Sequence, residues 1–123
     1  MIVLDSSALI HLLSGTDQGK TIRQSLGPEA MAATSISVHE VLIGTKEKEK
    51  ALVEDFFKGI TIIPFDAEAS YMSIQVQSGL RRKGKMLAKL DLFIASICVL
   101  HNLKLFTTDS DFKSVDGLVV SVY

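Results

Sequence analysis

Ile2-Val3-Leu4-Asp5-Ser6-Ser7-Ala8-Leu9-Ile10 opens the chain with a short β-branched run, a polar stop, and a helical stretch reaching Leu13. The same order of strand, polar stop and helix returns along the sequence. Met31 to Thr34 forms a second, weaker strand signal behind the turn Gly27-Pro28, and Ser35 or Ser37 is suited to cap a helix carrying Val38, Val41 and Leu42. Leu52/Phe56 and Val53/Phe57 pair one helical turn apart behind the alternating charges Lys46 to Lys50, which predicts an amphipathic helix. Ile60 to Ile63 is a β-branched run ended by Pro64, and Asp66 then caps a helix with apolar positions Ala69, Met72, Val76 and Leu80. Leu92 to Leu100 is apolar nearly all round and predicts a buried helix, followed by strands at Leu103 to Thr107 and Leu118 to Val122.

Strands alternating with helices predict an α/β fold: a central parallel sheet between two helical layers, three layers in all. The strands are nearly continuous in apolar residues, as a sheet covered on both faces requires. At 123 residues and with no linker or repeat, residues 1–123 read as a single domain, one that buries about two-thirds of its unfolded surface. Hydrophobic residues at 47% and charged ones at 22% exclude a disordered chain. One cysteine excludes an internal disulfide and a thiolate metal cluster. No basic residue precedes Lys20, so a secretory leader is not expected, and the run Leu92 to Leu100 is far short of the roughly 20 residues a membrane span needs. A cytoplasmic protein is expected.

The net charge of -1 hides an asymmetry. Arg81, Arg82, Lys83, Lys85 and Lys89 fall in an acid-free stretch, leaving the rest of the chain acidic. In a parallel α/β fold, ligands bind outside the carboxyl ends of the strands. Asp5, Glu40, Asp91 and Asp109 each fall at that edge by position: after the first strand, in the first turns of the helix after the second, at the opening of the buried helix, and after the strand ending at Thr107. Each alone fits a structural role as a helix cap, a turn residue or a solvated acid. Together they repel: at ~5 Å and an effective dielectric of ~20, each pair costs about 3 kcal/mol. A fold that gathers them calls for a cation, and an all-carboxylate set points to Mg²⁺ or Mn²⁺. Displacement at phosphorus is the chemistry such a centre serves, and the basic stretch before Asp91 suits a phosphate backbone. Acid centre and basic flank predict a metal-dependent nuclease. Asp66 and Glu68 also follow a strand and open a helix, but they read as a cap and a first-turn acid.

Other signals carry less. Gly15 to Thr21 resembles a phosphate-binding loop with one residue too few between its glycines, and reads as a surface loop leading into the next helix. Cys98 reads as packed core, and His11, His39 and His101 share no metal or triad spacing.

The blocks IVLDSSALI, SVHEVLIG, RRKGKMLAKLDLFIAS and LKLFTTDSDF, in this order across almost the whole chain, resemble the PIN domain and within it the VapC-type toxins of prokaryotic toxin–antitoxin pairs. The resemblance implies a Mg²⁺- or Mn²⁺-dependent endoribonuclease with Asp5, Glu40, Asp91 and Asp109 as its acidic quartet. It also implies a cytoplasmic homodimer, inhibited by a small antitoxin that inserts a segment into the active-site groove. Ser6 and Thr107 match hydroxyl positions that support the acids in that family, and Asp111 matches a further acid found less regularly.

Two other readings compete. A phosphoacceptor receiver domain shares the length, class and an acidic Mg²⁺ pocket, with Asp66 as acceptor, but it wants paired acids after the first strand and a lysine after the fifth. The other is a PIN-type binding module that keeps the fold without the chemistry, against which the intact quartet argues.

Overall fold

A computed structural model describes all of residues 1–123. Strand β1 (Ile2–Leu4) is buried at every residue and lies at the centre of the molecule. Helices α1 (Ser6–Ser14) and α2 (Asp17–Leu26) lead to β2 (Met31–Thr34), and α3 (Ser35–Ile43) and α4 (Lys50–Lys58) lead to β3 (Thr61–Ile63). The chain then runs through α5 (Ala67–Arg82) and α6 (Lys89–His101) to β4 (Lys104–Thr107), and ends in β5 (Val120–Val122). The five strands are ordered β3-β2-β1-β4-β5, and every neighbouring pair is parallel.

Side-chain alternation along the strands divides the core in two. Val3, Ala32 and Leu105 face α5 and α6, whose Val76, Leu80, Ile94 and Ile97 fill one side. Ile2, Leu4, Ala33 and Phe106 face the other way, onto Leu9, Ile22, Val41 and Phe57 of the first four helices. The expected three-layer α/β/α architecture is the one observed. No helix is long and apolar enough to cross a membrane.

The strand order also removes the receiver reading. That fold sets its third strand beside its first, whereas β3 here is an edge strand paired only with β2. Asp66 sits beside that edge and caps α5, accepting from the Ala69 N–H at 3.0 Å.

Two local expectations are corrected. The cap of α3 is Thr34, whose hydroxyl accepts from the Ser37 N–H at 3.2 Å, rather than Ser35 or Ser37. The glycine-flanked segment Gly15 to Thr21 is mostly helix. Gly15 closes α1 in the left-handed conformation (φ 67°), Thr16 caps α2 through the Gly19 N–H, and α2 begins at Asp17. Gly19 is there for space: a Cβ at that position would lie 2.1 Å from the His11 carbonyl oxygen, so only glycine lets α2 cross α1 so closely. Cys98 is fully buried within α6, and burial, followed by the Asp5 charge, pushes its thiol up to about 12.

Candidate active site

After β1, β2 and β3 step outward on one side, the chain crosses back to lay β4 on the other side of β1. The reversal falls at the carboxyl ends of β1 and β4, which is where an open parallel sheet binds ligands. Asp5 directly follows β1 and Asp109 lies two residues after β4, so these two acids flank the switch point.

Asp5 is 3% exposed and caps α1. Its Oδ1 accepts from the Ala8 N–H at 2.8 Å and the Ser7 hydroxyl at 2.7 Å, and its Oδ2 from the Thr107 hydroxyl at 2.6 Å. Burial raises its pKa, the Thr107, Ala8 and Ser7 hydrogen bonds oppose that shift, and the nearby Asp109 charge adds to it. Glu40, in the sixth position of α3, accepts the Ser6 hydroxyl at 2.6 Å. Ser6 also lies 3.1 Å from the buried Ser37, which Thr34 holds in turn. Adjacent serines at the start of α1 thus serve different acids: Ser6 turns to Glu40 and Ser7 to Asp5.

Asp109 caps the 3-10 turn Ser110–Ser114, accepting from the Asp111 N–H at 2.9 Å, while its own N–H donates to the Thr107 hydroxyl at 3.0 Å. Asp91 is the third residue of α6, whose cap position is Ala88, so a capping role does not account for it. Its pKa is raised to about 6, first by burial and then by the charges of Asp5, Glu40, Asp109 and Asp111. No hydrogen bond or cation offsets these effects. The three ion pairs of the molecule, Met1–Glu29, Lys50–Glu47 and Lys83–Asp116, all lie outside this group.

The structure therefore brings the quartet and Asp111 into one electrostatic field, centred on Asp91. It does not draw three of them close enough to share one ion as they stand. The donor set is all oxygen, which fits a hard divalent ion such as Mg²⁺ or Mn²⁺.

The basic stretch is placed differently. Arg81 and Arg82 end α5, Lys83 follows as its cap, and Lys89 begins α6. All five basic side chains are exposed, and none enters the field at Asp91. Lys83 is committed elsewhere, donating to the Asp116 carboxylate at 2.8 Å and to the Ser114 carbonyl. A groove of about 660 Å³ lies beside Glu40, lined by Ile10, Leu13, Leu52 and Val53 among others. Ile10 and Leu52 are exposed on its walls.

The sequence pattern that defines the PIN domain matches residues 2–118. The chain belongs to the PIN domain family. Among curated PIN relatives, it is 26% identical to ribonuclease VapC5 of Mycobacterium tuberculosis, over 94% of this chain and 87% of that one. It is 25% identical to the tRNA(fMet)-specific endonuclease VapC of Shigella flexneri, over 94% and 92%. The VapBC2 structure from Rickettsia felis, bound to a promoter DNA fragment, superposes over 100% of this chain and 99% of the matched one, with a TM-score of 0.84 at 24% identity.

Sequence reasoning missed Ser7, Ser37 and Thr34 as members of the site. The signal for Ser7 was present in the doubled serine after Asp5. The second partner of Ser7, the Thr108 N–H, lies 101 residues away and depends on the strand order.

Proposed function

We propose that this chain, read as one PIN domain over residues 1–123, is a metal-dependent endoribonuclease and the toxin of a toxin–antitoxin pair. The observation that carries this reading is Asp91, which sits half-buried, unpaired and under the charges of four other carboxylates at the sheet's switch point. Asp5, Glu40, Asp91 and Asp109 would hold Mg²⁺ or Mn²⁺, with Asp111 close enough to tune the site. A bound divalent ion supplies an activated water and charge stabilisation at the phosphoryl oxygens. The protein's own part is to hold the carboxylates. Thr107 and Ser7 fix Asp5, Ser6 fixes Glu40, and the Asp109 N–H is anchored on Thr107.

Arg81, Arg82, Lys85 and Lys89 are exposed cations for the RNA backbone, whereas Lys83 is partly neutralised by Asp116. The groove beside Glu40 supports an antitoxin contact: apolar side chains line it for a small partner, together with the carboxylates of Glu40 and Glu49 and the ammonium of Lys46. Tyr71 and Ile74, exposed on α5, offer apolar surface for a homodimer. A cytoplasmic location accords with this function.

The test is cleavage of end-labelled total RNA by purified protein freed of antitoxin, with Mn²⁺ or with chelator. Discrete fragments that require both the metal and an intact Asp5 support the nuclease. A second reading, a binding module without chemistry, draws on the spacing of the carboxylates. It predicts neither cleavage nor calorimetric uptake of Mn²⁺ at millimolar concentration.

A further inference from the structure

Ser7 is the second residue of α1, yet its hydroxyl serves no backbone group of its own helix. Its single proton goes to Asp5 Oδ1 at 2.7 Å, and its oxygen accepts the Thr108 N–H at 3.1 Å. Thr107 repeats the arrangement one residue on. Its hydroxyl donates to Asp5 Oδ2 at 2.6 Å and accepts the Asp109 N–H at 3.0 Å. The two oxygens of Asp5 are thus connected, each through one hydroxyl, to two consecutive peptide N–H groups of the turn that carries Asp109. Thr107 lies on β4 and is part of that turn's own root. Ser7 is the rung that comes from a different element, and it alone joins α1 to the turn.

We infer that Ser7 is a positioning residue, whose hydroxyl sets the separation of Asp5 and Asp109 across the β1–β4 switch point. Thr107 fixes the start of the turn at the Asp109 N–H, and Ser7 adds a second point of attachment at the Thr108 N–H. The charges of Asp5 and Asp109 repel, and Thr107 and Ser7 are the two hydroxyls that hold their segments together against that repulsion. The inference rests on the metal-site reading above and adds to it a residue outside the acidic set.

The test uses the full chain with Ser7→Ala, Ser7→Cys and Ser7→Thr. Cysteine keeps the volume with a poor donor and acceptor, and threonine keeps the hydroxyl. Three quantities are read: Mn²⁺ affinity by calorimetry, cleavage rate at saturating Mn²⁺, and melting temperature in chelator. Ser7→Ala and Ser7→Cys should lose about 10- to 100-fold in Mn²⁺ affinity or rate, as loss of a ligand's supporting partner does. Their chelator melting temperatures should stay near wild type, and Ser7→Thr should restore most of the loss. If Ser7→Ala fails to fold, Ser7→Cys carries the test. Wild-type affinity and rate in the variant tested overturn the inference, as do losses that track a fall in melting temperature and persist in Ser7→Thr. If wild type binds Mn²⁺ but cuts no RNA, the ribonuclease reading fails while calorimetry still decides Ser7. If wild type neither binds nor cuts, no carboxylate site exists for Ser7 to set, and both fall.

Discussion

Asp5 and Asp66 each follow a strand, cap the next helix and accept a backbone N–H three residues on, from Ala8 at 2.8 Å and from Ala69 at 3.0 Å. Locally they are the same device. Asp66 follows an edge strand, is exposed, and has no second carboxylate imposed on it by the fold. Asp5 follows the central strand, is buried, and has its free oxygen bonded from β4. Sheet order, and not the local sequence, turns one cap into a member of the acidic field around Asp91.

The sharpest way to break this comparison is to neutralise both residues. Asp5→Asn is expected to lower RNA cleavage by about 10³-fold or more, on the scale of a lost electrostatic contact to a reacting centre, while Asp66→Asn leaves it unchanged. Equal effects in the cleavage assay would mean that Asp5 acts only as a cap. Truncation separates them by stability. Asp5→Ala strands three donors and should cost about 3 kcal/mol in urea denaturation, against about 1 kcal/mol for the single cap bond lost in Asp66→Ala.

Mn²⁺ should raise the melting temperature, by about 2.7 kcal/mol of added stability at a hundredfold excess over the dissociation constant. Asp66→Asn should keep that gain and Asp5→Asn should lose most of it.

The smallest effect is on pH. The Asp91 carboxyl titrates near 6 in the folded protein, above its ordinary 3.8. The folded state therefore keeps this proton to higher pH than the unfolded chain does, so its contribution is complete below about 4 and lost as pH rises through 6. In chelator, wild type should lose about 1 kcal/mol more than Asp91→Asn between pH 4 and pH 7, a figure reduced for solvent screening at this half-buried group. A parallel pH dependence in the two proteins would show that the carboxylates do not share a field.

Much of this was legible from residue order. The alternation of β-branched runs with helical stretches foretold the parallel sheet, and its carboxyl edge gathered the four acids. Side-chain partners were harder to read where several candidates stood in a row. Thr34, Ser35 and Ser37 can all cap a helix, and only the backbone path after β2 selects Thr34. The Gly15 to Thr21 segment read as a surface loop between its glycines, yet Gly19 lies within α2, where glycine is required because α1 leaves no room for a Cβ. Lys83 read as part of a free basic run, but its partner Asp116 is 33 residues further on and meets it only through tertiary packing. Tertiary packing decided the Lys83–Asp116 and Ser7–Thr108 pairings, and no local pattern encodes them.

The lone thiol of Cys98 has a practical consequence. Fully buried and held as the unreactive protonated form at neutral pH, it should meet an alkylating reagent only when α6 leaves the sheet. Its labelling rate is therefore a built-in clock for opening of the helix that carries Asp91, readable by mass spectrometry without any substrate. Whatever binds at the acidic site should slow that clock in proportion to how tightly it is held.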